Sequence, residues 1–243
     1  MPLTLDGGPD GIEQVLVVTA HPDDVDFGMA GTVATLTAAG VNVTYCIVTD
    51  GDAGGSDPTV SRSDMAALRR EEQRAAAAEV GVSELTFLGY HDGRLTPSLD
   101  LRRDISRVIR QLRPQRVFTH SPERSWTRLG ASHPDHLATG EATTCAIYPD
   151  ARNPFAFPEL LEDGLEPHVV PELWLMATDR ADRAVDVTGT FKAKLAALFS
   201  HRSQVGDGEG FEELLRSWLS GQAASAGLPD GSLAEVFQVV DIG

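Results

Sequence analysis

Basic charge is in short supply in this chain. Against 36 Asp and Glu it has 20 Lys and Arg, giving a net charge of −16 and a pI near 4.7. No cationic surplus exists to neutralise phosphates, which argues against nucleic acid as a partner; the acidity serves solubility. Cysteine is scarce as well. Cys46 and Cys145 are far apart and flanked by apolar residues, so they are read as buried free thiols, not as a disulfide or a nucleophile. No apolar run approaches the roughly 18 residues of a membrane span. The opening MPLTLDGGPDG lacks the basic region and apolar core of a signal peptide. The expectation is a cytoplasmic protein with no membrane span, with a homo-oligomer left open. Internal repeats, low-complexity tracts and Ser/Gly linkers are absent too, so the 243 residues are read as a single α/β domain with a C-terminal elaboration from about residue 149.

What is present is an alternation of strand and helix. Residues 14–20, 41–49, 84–90 and 116–120 are short apolar, β-branched runs, the pattern of buried strands. Between them, 28–39, 63–80 and 100–112 read as helices, stopped by Gly40, Gly81 and Pro114. Such βαβ units imply a Rossmann-like open, mostly parallel sheet with helices on both faces and a site at the carboxyl ends of the strands. Beyond a loop at 121–132 come a helix at 135–147 and an irregular stretch, 149–171, with five prolines, expected to lie near the site. Strands at 172–177, 184–188 and 235–241, with helices at 190–200 and 211–222, complete the chain.

Chemistry concentrates in two short motifs. His21-Pro22-Asp23-Asp24 follows the first strand, and His133-Pro134-Asp135-His136 stands at a later helix entry. In each, residues three apart share one side of a turn and can converge on a metal ion. Either aspartate of the first pair also fits a helix N-cap. Two histidine–carboxylate clusters, each placed after a strand, favour one shared metal site over two unrelated caps. His120 ends a strand, where it either lines the site or sits satisfied in the core; His91 and His168 are read as surface residues.

AHPDD at 20–24, GMAGT at 28–32 and HPDH at 133–136 resemble the LmbE-like or PIG-L family of zinc-dependent N-acetylglucosaminyl deacetylases. TDGDAGG at 49–55, RREEQ at 69–73, LGYHDGRL at 88–95 and KLAALFSHRSQ at 194–204 extend the likeness along the chain. The resemblance implies hydrolysis of the N-acetyl group of an N-acetylglucosamine-containing small molecule or glycoconjugate. It implies His21, Asp24 and His136 as metal ligands, with Asp23 as the general base toward water. It implies His133 as the group that stabilises the oxyanion or protonates the amine, with Asp135 orienting or tuning it. Asp52, Arg69 and Asp92 correspond to sugar contacts. Trp126, as a stacking face or a packing anchor, and His201, in the last echo, join the substrate-side candidates. Zn²⁺ is the expected ion, and a His/His/Asp site also accepts Fe²⁺ or Co²⁺.

One departure stands out. Family members commonly carry Glu directly after the aspartate pair, where this chain has Val25, with Asp26 one step later. Asp26 either replaces that carboxylate or caps the following helix. Two rival readings are a nucleotide- or sugar-nucleotide-binding Rossmann-like protein and a catalytically inactive binding module on the same scaffold. The first is opposed by the lack of GxGxxG in the first βα turn.

Overall fold

A computed structural model describes residues 4–5, 11–55, 57–206, 208 and 210–242. In chain order, β1 (Thr4–Leu5) and β2 (Gln14–Thr19) are followed by α1 (Asp24–Ala38), β3 (Asn42–Thr49) and α2 (Arg62–Glu79). Next come β4 (Glu84–Tyr90), α3 (Leu99–Leu112), β5 (Arg116–His120), α4 (Pro134–Cys145) and α5 (Pro158–Glu162). The last third holds β6 (Glu172–Met176), β7 (Arg183–Asp186), α6 (Phe191–Ser200), α7 (Arg202–Val205), α8 (Phe211–Ser225) and β8 (Ala234–Asp241). The strands form one eight-stranded sheet in the order β1-β7-β8-β6-β5-β2-β3-β4. Its pairings are parallel except that β8 runs antiparallel to both β6 and β7. Among the described residues no helix is long and apolar enough to cross a membrane.

Strand alternation divides the interior in two. Val15, Val17, Tyr45 and Ile47 point into a core shared with α1, α2, α6 and α8. Leu16, Val18, Cys46 and Val48 point the other way, into a core with α3 and α4. Because side chains alternate across a sheet with period two, a run such as VLVV feeds both cores, and the helices cover both faces as the βαβ pattern implies. Cys46 is buried and Cys145 half-buried; both are free.

Three details depart from the sequence reading. The first helix begins at Asp24, not at 28, and is kinked at Met29 (φ −155, ψ 17). Lys194, fully buried on α6, donates to the carbonyls of Asp26 and Phe27 (2.8 Å each) and to Glu235 Oε1 of β8 (2.8 Å). Glu235 in turn accepts from the Gly31 and Thr32 amides (3.1 and 2.7 Å). Lysine thus satisfies carbonyls before the kink and glutamate satisfies amides after it, which stabilises the break in the helical ladder. Removing one partner of a buried pair leaves the other uncompensated. Lys194→Met is therefore expected to lose about 3 kcal/mol of stability, read from the urea midpoint.

The proline-rich segment is the second departure. It lies along α3, where the Arg110 guanidinium donates to the carbonyls of Asp150, Ala151, Asn153 and Ala156 (2.8–3.1 Å). Arg102 pairs with Asp150 (2.8 Å). Side-chain donors thus take the place of a ladder that prolines cannot make. Third, the short β1, not expected from the sequence, adds a parallel edge to β7.

Candidate metal centre at the sheet switch point

From β2 the chain steps outward to β3 and β4, then returns to place β5 on the other side of β2. Such a reversal opens a crevice at the carboxyl ends of the two strands, the usual ligand site of open α/β sheets. His21 follows β2, His120 ends β5, and the second motif enters α4 beside them. A Cβ on Gly140 of α4 would run into the His120 carbonyl, so glycine there permits the close approach of α4 to β5.

Asp24 is the hub. Its Oδ2 accepts the His21 amide (2.7 Å) and lies 3.4 Å from His21 Nδ1 and 3.2 Å from His120 Nε2. Its Oδ1 lies 3.0 Å from His136 Nε2. The His120 and His136 rings stack at 4.1 Å. His136 Nδ1 is 3.2 Å from the Ala131 carbonyl; donation there fixes the tautomer that leaves Nε2 free. Burial opposes ionisation of Asp24, yet the charges of His136 and His120 hold its carboxyl well below the usual range.

The far nitrogen of His21 is held as firmly. Nε2 sits 3.1 Å from Asp92 Oδ1 and 3.2 Å from Asp135 Oδ2. Asp135 is itself fixed by the amides of Gly93 (2.7 Å) and Leu95 (3.1 Å). Burial would depress the His21 pKa, but bonds to Asp135, Asp24 and Asp92 outweigh it and push it up to about 12. The carboxylate of Asp135 thus braces His21, and its link to His133 is through the backbone, the Asp135 amide donating to His133 Nδ1 (3.3 Å). The Asp135 charge also acts on the His133 ring, raising its pKa against the effect of burial.

Asp23 stands beside the hub in a left-handed conformation (φ 97). Its carboxylate takes Arg69 Nη2 at 2.9 Å, and the same guanidinium donates to the carbonyls of Pro22 and Gly51. Burial pushes the Asp23 carboxyl up to about 7, against the pull of Arg69 and with the help of the Asp24 charge. Gly51 (φ 60) leaves the room that Arg69 occupies, since a Cβ there would meet the guanidinium.

The substrate-side candidates are scattered. Asp92 reaches the centre, but as a partner of His21. Arg69 is buried and spent on Asp23. The Asp52 carboxylate is taken up by Arg62 (2.9 Å), His91 (3.0 Å) and the Asp92 amide (2.8 Å), which ties the 50s loop to the 90s loop. Trp126 is 82 % exposed, with the Arg124 guanidinium 5.9 Å from its ring. His201, expected on the substrate side, is fully buried and lies 2.8 Å from Asp26; it has no surface to offer a ligand. Trp218 of α8, which the sequence did not single out, lines a cleft with Phe27 and Met176 that opens onto Asp24, His120 and His136.

Val25 packs in the main core, whereas Asp26 bonds Gln73 Nε2 (2.9 Å) and His201. Asp26 is thus buried and turned inward onto Gln73 and His201.

The donor set fits a divalent ion. Asp24, His120 and His136 bring ligand atoms within 4.8 Å of one another, as do His21, His133 and His136. Nitrogen and oxygen donors from imidazole and carboxylate suit zinc and its first-row neighbours, and carboxylates behind a ligating imidazole are the usual outer support. Asp135→Asn is expected to weaken metal binding about 10–100-fold, measured by chelator competition.

A cluster of metal-capable donors, with a further carboxylate held beside it by arginine, at the switch point of an α/β sheet, is the arrangement of residues that a metal-dependent hydrolase uses. The family model described as GlcNAc-PI de-N-acetylase (PIG-L) matches residues 16–147, and the chain belongs to the PIG-L family. It is 33% identical over 197 residues to the diacetylchitobiose deacetylase of Thermococcus kodakarensis, covering 79% of this chain and 70% of that one. A probable N-acetyl-alpha-D-glucosaminyl L-malate deacetylase 2 of Bacillus cereus is 32% identical, with coverage of 78% and 83%. Among solved structures, the N,N'-diacetylchitobiose deacetylase of Pyrococcus horikoshii in complex with its inhibitor MPG superimposes with a TM-score of 0.88 at 31% identity. That match covers 96% of this chain and 85% of the other.

Proposed function

We propose that the protein is a metal-dependent amide hydrolase that removes the N-acetyl group from an N-acetylglucosamine-containing small molecule or glycoconjugate, giving acetate and a free amino sugar. The observation that carries this reading is the Asp23 carboxylate, placed beside the Asp24-centred imidazole cluster but bound to Arg69. His21 through Nδ1, Asp24, and His136 through Nε2 would hold the ion, with Zn²⁺ first and Fe²⁺ or Co²⁺ accepted. Such an ion, when bound, polarises the amide carbonyl and lowers the pKa of water to about 7.

The chain's own groups supply the rest. Asp23 takes a proton from the attacking water, its raised pKa suiting a base that works near neutral pH. Burial and the neighbouring His21 lower the pKa of His133, and its Nδ1 accepts the Asp135 amide, so a neutral ring carries its proton on Nε2. That N–H donates to the oxygen on which charge develops. As the C–N bond breaks, the proton held by Asp23 passes to the departing nitrogen. Acetate leaves on the other fragment.

A nucleotide-binding reading is opposed by the same geometry. The turn after β2, where pyrophosphate would sit on a helix N-terminus, is occupied by Asp23, Asp24 and Asp26. The test is to incubate zinc-loaded protein with N,N'-diacetylchitobiose, an N-acetylglucosaminyl malate and simpler N-acetylglucosaminides, and to measure acetate and primary amine. Release of both in equal amounts is expected. Absence of release from every member of the panel by metal-replete protein overturns the reading.

A further inference from the structure

We infer that Gln73, Asp26 and His201 are positioning residues that set the backbone at Asp23 and so aim its carboxylate; the inference rests on Asp23 acting as the base. Gln73 Oε1 accepts the Asp23 amide (2.8 Å), Gln73 Nε2 donates to Asp26 Oδ2 (2.9 Å), and His201 Nε2 lies 2.8 Å from that same oxygen. All three side chains are fully buried. They come from α2, from the first turn of α1 and from the end of α6, so the chain of bonds ties three elements to one peptide N–H.

The amide of Gln73 has one workable orientation. Flipped, it would set its oxygen against the Asp26 carboxylate and its NH2 against the Asp23 N–H, acceptor facing acceptor and donor facing donor. Asp23 holds a left-handed φ that is sterically disfavoured for a residue with a Cβ, and such a conformation persists where the surroundings over-determine it. Here α2 grips the residue at both ends: Arg69 takes the carboxylate and Gln73, one helical turn on, takes the amide. Glu72 holds α7, the short helix that follows His201, by accepting from the Ser203 amide (2.8 Å) and hydroxyl (2.6 Å). Two sequence echoes, RREEQ and SHRSQ, therefore meet at one backbone turn.

Gln73→Met keeps length and bulk but removes both bonds. In the metal-loaded full chain it is expected to lower kcat about a hundredfold through misplacement of the base, with KM and metal content unchanged. In hydrogen–deuterium exchange, the Asp23 amide is expected to lose its protection while strands β2 and β3 keep theirs. His201→Gln retains an N–H donor near the position of Nε2 and is expected to keep most of the rate; His201→Leu is not. Should Gln73→Met fail to fold, the His201 pair carries the test. Wild-type kcat or unchanged Asp23 amide exchange in Gln73→Met, or equal rates for His201→Gln and His201→Leu, overturns the inference. If wild-type protein releases no acetate from any N-acetyl sugar, the functional reading fails, and the amide-exchange arm still decides the backbone role.

Discussion

Asparagine at position 23 is expected to leave the ion bound and to reduce turnover about a thousandfold, within the range that a positioned general base contributes. The replacement is nearly isosteric. Its amide oxygen still accepts Arg69, so the left-handed turn keeps both of its anchors, and Asp24, His21 and His136 are untouched. What disappears is the ability to accept a proton. Metal analysis beside kcat separates the two effects, and full activity in Asp23→Asn would remove the base from the mechanism. Stability should move the opposite way. A carboxyl whose folded pKa is raised above its unfolded value of 3.8 is a liability once it ionises. Metal-free Asp23→Asn is therefore expected to be more stable than wild type above pH 7. The advantage shrinks as pH falls toward 4 and is gone below it, where both states of wild type are protonated.

His136→Ala is expected to cost more metal affinity than Asp135→Asn does, beyond the 10–100-fold typical of an outer partner. The ring of His136 reaches Asp24 Oδ1 at 3.0 Å and stacks on His120; alanine removes a donor and leaves a gap beside a buried carboxylate. Competition against a chelator of known affinity gives the loss directly, and the zinc-dependent rise in thermal stability should shrink with it. Retention of wild-type affinity would exclude His136 from the donor set.

The strands and the two motifs were legible because their signals are local. Apolar runs such as VLVV need no distant partner to be read as buried strand, and histidine–carboxylate spacing is a property of four consecutive residues. Other features depend on where loops land. Asp135 looks like the neighbour of His133 in sequence, but Gly93 and Leu95 capture its carboxylate and turn it to His21. Gln73 is one polar residue in a helix of Arg, Glu and Ala, and only the approach of α2 to the turn after β2 gives it the Asp23 amide. The kink at Met29 is invisible without Lys194 and Glu235, which lie far along the chain. Trp126 drew attention as an aromatic in a polar loop, whereas Trp218 lies on the helix that walls the cleft; nothing in the sequence around either distinguishes them.

The Lys194–Glu235 pair makes the cluster depend on segments far from it in the chain. Among the described residues, the donors His21, Asp24, His120, His133 and His136 all lie before residue 137. The turn that carries Asp24 and Asp26, however, is fastened to its kinked helix by a lysine from α6 and a glutamate from the final strand. A chain short of residue 235 has the ligands but not the clamp. Removing β8 is therefore expected to loosen the turn that carries Asp24 while leaving these donors in the chain, read as faster amide exchange across α1.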